Sequence, residues 1–238
     1  MAIAVVVGCT GHVGSHILSA LLSLDTVKAV HTISRCALQG VSPESFPKLS
    51  VHVESDTSRW ASTLAAISPP PTMVFSSLGT TRKQAGGIAN QWKIDHDVNI
   101  ELAESAHVHG VKSFVFVSCA GTQSPLARAM PYLQMKRGVE NAIQSLGFEQ
   151  TVVLRPGIIL GEREREHQGG PFVKSLVRGV GSFNRALHDN LGQEPDVIAR
   201  AAVKAALLER WKPDSRAAPG RYWIVECHEI LRLGRDEW

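Results

Sequence analysis

The run Gly8-Cys9-Thr10-Gly11-His12-Val13-Gly14 constrains this chain more than any other stretch. It stands between a β-branched run, Ile3 to Val7, and apolar residues at helical spacing, Ile17, Leu18, Ala20, Leu21 and Leu22. A short β-branched run suits a strand buried on both faces. A strand that feeds a helix through spaced glycines is where an open α/β sheet binds a dinucleotide. Glycine lets the backbone turn tightly and approach a pyrophosphate, and the helix N-terminus supplies unpaired N–H groups and the positive end of a dipole. The spacing is GxxGxxG rather than GxGxxG, so the triplet by itself also suits a plain βα turn. It is not followed by Gly-Lys-Ser/Thr, which excludes a triphosphate-binding P-loop.

The alternation continues along the chain. Strands are expected over Ala29–Ser34, Leu49–Glu54, Thr72–Ser76, Ser113–Ser118 and Thr151–Leu154. Helices are expected over Asp95–His109, where Ile94, Val98, Leu102 and Ala106 form one stripe, and over Tyr132–Ser145. Gly110 and Gly147 stand where helix-ending glycines belong. The pattern predicts an α/β fold, a Rossmann-type doubly wound parallel sheet with a small C-terminal substrate-side cap. Residues 1–238 read as one NAD(P)-binding domain, with a core to about 156 and a cap region over 157–238. That region holds helix candidates at Phe172–Val177 and Asp196–Arg210, a late strand at Tyr222–Val225 and a short terminal helix. Its mixed-charge run Glu162–His167, followed by Gly169-Gly170, reads as a solvated surface or as a hinged lid.

Composition excludes several classes. At 44% hydrophobic the chain is not disordered. A balance of 25 Lys+Arg against 22 Asp+Glu is too even for nucleic acid. Apolar runs fall far short of the roughly 20 residues that span a bilayer. The N-terminus has neither a basic signal region nor an Arg-rich transit start. Four scattered cysteines form no CxxC pair, and the histidines form no HExxH motif. No metal site is expected, and the thiols read as reduced.

Cofactor choice turns on the end of the second strand. NAD-preferring sites place Asp or Glu there to bond the ribose 2′-OH. Here the strand ends Ser34-Arg35, and no acidic residue occurs from Thr26 to Pro43. An arginine pairs with a 2′-phosphate, which predicts NADP(H); the competing reading is a solvated surface arginine. Asp56, after the third strand, is placed to meet the adenine or to be a plain loop residue. The chemistry points to Tyr132-Leu133-Gln134-Met135-Lys136, since i,i+4 spacing puts phenol and ammonium on one helix face. A neighbouring cation is expected to lower the phenol pKa from about 10 and make it a usable proton donor or acceptor. Taken alone, the pair also fits an ordinary helix turn. Ser118 ends the fifth strand, at the sheet edge where such folds bind ligands.

Gly8, Gly11, Gly14, Ser118 and Tyr132-xxx-Lys136, in that order, resemble the short-chain dehydrogenase/reductase superfamily, with the glycine spacing of its extended and atypical branches. More narrowly, Ser76–Arg82, Tyr132–Lys136 and Leu154-Arg155-Pro156-Gly157 with Leu160–Arg163 resemble the Tat-interacting oxidoreductase-like proteins and related fungal proteins associated with the mitochondrial outer membrane. The resemblance covers residues 3–165 well and the tail loosely.

The resemblance implies that Tyr132 is the general acid/base and that Lys136 lowers its pKa and holds the nicotinamide ribose. Ser118 would bond the substrate carbonyl, and Asn99 would hold a relay water. Thr10, Gly11, His12 and Val13 would wrap the pyrophosphate, with Gly8 and Gly14 forming the turn. Arg35 would take the 2′-phosphate, Leu78 and Gly79 would pack along the cofactor, and Pro156 and Ile158 would lie near the nicotinamide amide. His12 is bulkier than the residue usual in that loop, and Cys119 stands where a small residue is usual. The expected activity is NADP(H)-dependent reduction of a small-molecule carbonyl substrate. The alternatives are an NADPH-binding regulatory protein and an epimerase-like lyase. The resemblance also implies a cytoplasmic location, including peripheral attachment at the mitochondrial outer membrane, and a protein partner or homodimer.

Overall fold

The computed structural model describes residues 2–160, 192–208, 221–236 and 238. β1 (Ala2–Val7) lies inside a seven-stranded sheet. On one side stand β2 (Val27–Ser34) and β3 (Leu49–Val53). On the other stand β4 (Met73–Ser76), β5 (Ser113–Val117), β6 (Gln150–Arg155) and the late strand Arg221–Glu226. All neighbouring pairs in this sheet are parallel. A short pair, β7 (Ile158–Ile159) with β8 (Gly192–Gln193), stands apart, and the late strand is β9.

Strand periodicity explains why both faces are covered. In β1, Ala4 and Val6 face one way and Val5 and Val7 the other, and all four are fully buried. The first face packs α1 (His12–Ser23) and α6 (Pro195–Leu207). The second packs α2 (Trp60–Ala65), α4 (Val98–Val108) and α5 (Pro131–Leu146), with α3 (Ile88–Trp92) leading into α4. α7 (Cys227–Leu231) lies beside α6 and runs into a π-helical turn, Arg232–Asp236. The layered core thus draws on residues well past 156: β9 extends the sheet and α6 fills the layer beside α1. The Phe172–Val177 helix, the Glu162–His167 run and its glycine hinge lie outside the described residues.

One element differs from expectation in a way that matters. The helix expected from Asp95 is interrupted by a π-helical turn at Lys93–Asp97 before α4 begins. Asn99 holds this turn. Its Nδ2 donates to Ile94 O, five residues back, at 3.0 Å, and its Oδ1 accepts from Ser76 Oγ at 2.6 Å. A wider turn satisfied by a side chain is a common cause of a break in a helix. It brings Asp95 inward, where the apolar stripe alone gives no reason to place an acid.

Candidate functional site

The connection from β1 to α1 has the shape that its glycines allow. Gly8 has φ +82°, a left-handed conformation, and a Cβ there would meet the Ser77 carbonyl carbon at 2.8 Å and Leu78 N at 2.9 Å. A Cβ on Gly14 would overlap Gly8 O. Gly11 precedes α1 and donates its N–H to Gly8 O at 2.9 Å. Gly14→Ala is expected to cost about 1–3 kcal/mol from overpacking. A melting temperature equal to the parent's would count against this packing.

The strand order reverses between β2–β1 and β1–β4, and ligand crevices form at such switch points. A cleft of about 540 Å³ opens there. Gly8, Thr10 and Gly11 line it from the glycine turn, Ser34 and Arg35 from the end of β2, and Ser77, Leu78 and Gly79 from the segment after β4. Ser55, Thr57 and Trp60 form a further wall, and Lys93 adds a second cation to the lining. Trp60 is fixed by donating its Nε1–H to Glu54 O at 2.8 Å.

Six of the expected site residues, Gly8, Thr10, Gly11, Arg35, Leu78 and Gly79, therefore meet in one cleft. The others lie elsewhere. Val13 is buried in the core beneath α1, and Gly14 packs on the turn. His12 is half-buried, and its Nε2 has no hydrogen-bond partner among the described residues. Asp56 caps the 3-10 turn Thr57–Arg59, its Oδ1 accepting from Ser58 N at 3.0 Å and Ser58 Oγ at 2.8 Å. These bonds hold its carboxyl below the usual range. Pro156 is buried and accepts from Ala120 N at 2.7 Å, and Ile158 is exposed on β7. Asn99 is spent on the π-helical turn.

α5 presents Tyr132, Lys136 and Glu140 at i,i+4 spacing on one face. Lys136 is 3% exposed, and its Nζ donates to Leu78 O and Val117 O, each at 3.3 Å. The ammonium also lies 4.8 Å from the centre of the Phe116 ring. Burial lowers its pKa, and Asp95, Cys119 and Glu140 oppose that. Tyr132 departs from expectation: its pKa is raised, not lowered. Burial is the main cause, followed by Cys119 and Asp95. The residue stays 39% exposed while its hydroxyl is directed at the Cys119 thiol, which is itself pushed up to about 11 by burial. The Lys136 ammonium is drawn inward, donating to the Leu78 and Val117 carbonyls.

Ser118 also has a different neighbour from the one expected. Its hydroxyl donates to Glu140 Oε1 at 2.6 Å and is buried. Thr122 Oγ1 donates to the same oxygen at 3.1 Å. Arg155 closes the cluster with Nε on Oε1 at 3.1 Å and Nη2 on Oε2 at 2.6 Å, while its Nη1 reaches Glu226 at 3.1 Å. The ends of β5, β6 and β9 are thus tied to α5 under the Tyr132 face. Sequence reasoning missed Asp95, Glu140 and this use of Arg155. Glu140 had one available signal, its place one turn beyond Lys136. Asp95 had none, since the π-helical turn that buries it leaves no mark in the apolar pattern.

A parallel sheet with a glycine cradle at its switch point defines a Rossmann-like α/β fold. Solved structures agree on the fold. A short chain dehydrogenase/reductase from Saccharomyces cerevisiae superposes with TM-score 0.68 at 16% identity, over 94% of this chain and 96% of that one. The UDP-Glc/GlcNAc 4-epimerase of Campylobacter jejuni gives 0.67 at 16% identity, over 98% and 82%. MoeE5, solved in complex with UDP-glucose and NAD, gives 0.61 at 16% identity, over 100% and 82%. The chain belongs to the HIM1 family, whose profile matches residues 43–187. Protein FMP52, mitochondrial, of Chaetomium globosum is 51% identical over 239 residues, 100% of this chain and 99% of that one. Protein fmp-52, mitochondrial, of Neurospora crassa is 53% identical over 235 residues, 98% and 95% respectively. Among the described residues, no helix is long and apolar enough to cross a membrane, and no three side chains of the metal-binding types cluster.

Proposed function

We propose that this chain is an NADP(H)-dependent oxidoreductase of short-chain reductase type, acting on a small-molecule carbonyl. The observation that carries this reading is the continuous cleft from Arg35, over the glycine turn, to Gly79 above Lys136. The residues fit a phosphorylated dinucleotide. Gly8 and Gly14 leave no room for a Cβ at the helix N-terminus, and a guanidinium stands at the end of β2 in place of an acid. The NAD bound in the MoeE5 structure supports a nicotinamide cofactor on this fold. When bound, the cofactor would supply hydride to the carbonyl carbon.

The chain's own part is positioning and proton transfer. Tyr132, kept protonated by its surroundings, donates a proton to the carbonyl oxygen as negative charge develops there. Lys136 holds its ammonium on Leu78 O, against the Leu78–Gly79 segment that lines the cleft. Ser118 acts through Glu140, as part of the support beneath α5. The mitochondrial relatives support a mitochondrial site of action for this chain. Steady-state NADPH oxidation over a panel of aldehydes and ketones tests the activity.

The cofactor choice has its own test. Arg35→Asp should weaken NADPH binding about ten- to a hundredfold, the worth of a charged hydrogen-bonded pair, and leave NADH nearly unchanged. Quenching of the cleft-lining Trp60 offers the readout. Equal weakening of both coenzymes would remove Arg35 from 2′-phosphate recognition. The engagement of Ser118 by Glu140 favours one second reading, an NADPH-binding regulatory protein. It predicts tight NADPH binding with no turnover on any carbonyl tested.

A further inference from the structure

The cleft at the switch point is lined by two cations, Arg35 and Lys93, and by no carboxylate. Both residues are exposed, and neither forms an ion pair among the described residues. Arg35 follows β2, whose last residue, Ser34, pairs with Val53 of β3. Lys93 comes to the cleft from the other side of the switch point, on the π-helical turn that leads into α4.

The backbone that carries Lys93 is anchored by the residues two positions to either side. Gln91 Nε2 donates to Thr80 O at 3.1 Å, and Asp95 Oδ2 accepts from Thr80 N at 2.8 Å. Gln91 is 7% exposed and Asp95 is fully buried, so both bonds to this cleft-lining residue are shielded from water. Residues two apart on a helical turn do not share a face. With Gln91 and Asp95 turned inward, Lys93 between them stands exposed at the cleft wall. Asp56, just past β3, is the acid that Lys93 acts on, but its carboxyl is engaged elsewhere. It is held below the usual range first by its hydrogen bonds from Ser58, and then more weakly by Lys93 and Arg59.

A cleft with two cations and no acid is complementary to an anion of more than one charge. The pyrophosphate of a dinucleotide has the glycine turn and the N-terminus of α1 for partners. A 2′-phosphate is close to a dianion at neutral pH, since its second pKa is about 6, and one guanidinium matches only part of that charge. We propose that Lys93 is the second cation on the 2′-phosphate, holding it from the α4 side while Arg35 holds it from the end of β2. This rests on the NADP(H) reading above. The pyrophosphate offers a lysine the same chemistry, and the test separates the two phosphates.

The ligands are NADPH, NADH and adenosine 2′,5′-bisphosphate, which keeps the 2′-phosphate and lacks the nicotinamide half. Each is titrated by calorimetry into the unaltered chain, Lys93→Gln and Lys93→Arg. Because Lys93 is exposed, both variants should melt within about 2 °C of the parent. Lys93→Gln should weaken NADPH and the bisphosphate about tenfold each and leave NADH within about twofold, while Lys93→Arg stays near the parent for all three. Unchanged NADPH affinity in Lys93→Gln overturns the proposal. Equal weakening of NADPH and NADH overturns it in favour of the pyrophosphate. Weakened NADPH with an unchanged bisphosphate overturns it by placing the lysine away from the adenosine end. A parent chain that binds neither coenzyme, or binds both equally, overturns the NADP(H) reading along with this one.

Discussion

Tyr132→Phe is expected to lower kcat for carbonyl reduction by about 10²–10⁴, the usual contribution of a positioned general acid, with NADPH affinity within about twofold of the parent. The residue is 39% exposed and the change removes a single hydroxyl, so the fold should be undisturbed. Direction matters as much as size. Burial, Cys119 and Asp95 all raise the phenol pKa. A donor with a raised pKa keeps its proton to higher pH, so the acid form needed for reduction persists through neutrality. An ordinary phenol titrates near 10, and this one lies above it, so kcat/KM for reduction should show no fall from this group between about pH 7 and 9. For oxidation of the corresponding alcohol the sign reverses, because the unprotonated phenol is then required and is scarce. Equal turnover of Tyr132→Phe and parent, measured with saturating NADPH, would remove Tyr132 from the chemistry.

The same residues mark how far sequence alone reaches. Local backbone requirements were legible. The turn at Gly8 needs a positive φ, Gly14 a close approach, and α5 a Pro near its start and a left-handed Gly147 at its end; each is a statement about neighbours in sequence. Strand burial was legible for the same reason, since β1 alternates between two covered faces. The i,i+4 relation of Tyr132 and Lys136 was legible, but not its electrostatic outcome. That depends on where the ammonium is drawn, and the carbonyls that draw it belong to residues 58 and 19 positions away. The hydroxyl of Ser118 likewise answers to Glu140, 22 residues on, and the Asp95 carboxyl to Thr80 and a turn of uncommon width. Cleft residues on the glycine turn and just past the ends of β2 and β4 could be named in advance. Groups whose role is set by a partner on another element could not, because nothing in their own segment records the pairing.

Glu140→Ala should show the largest loss of stability, because it removes the centre of that long-range cluster. The Glu140 and Arg155 side chains are 1% and 7% exposed and meet at 2.6 Å. Removing the carboxylate leaves the guanidinium with Glu226 alone, itself 44% exposed, and strips the Ser118 and Thr122 hydroxyls of their acceptor. Breaking one side of a buried pair costs about 3–5 kcal/mol, and the remaining Glu226 contact argues for the lower end. For a chain of this size each kcal/mol moves the melting temperature by about 2–4 °C, so a fall of about 6–12 °C is expected. The companion double variant, Glu140→Met with Arg155→Met, should regain the part of the loss that comes from the buried charge, since an apolar pair of similar volume leaves the guanidinium's charge out of the core, while Ser118 and Thr122 stay without their acceptor. The two melts separate two roles. If the double variant melts near the parent yet loses turnover, the cluster serves to hold the Tyr132 face of α5 in register with β5. If Glu140→Ala itself melts within about 1 °C of the parent, the pair contributes no more than an exposed one, and the ends of β5, β6 and β9 are held by apolar packing alone.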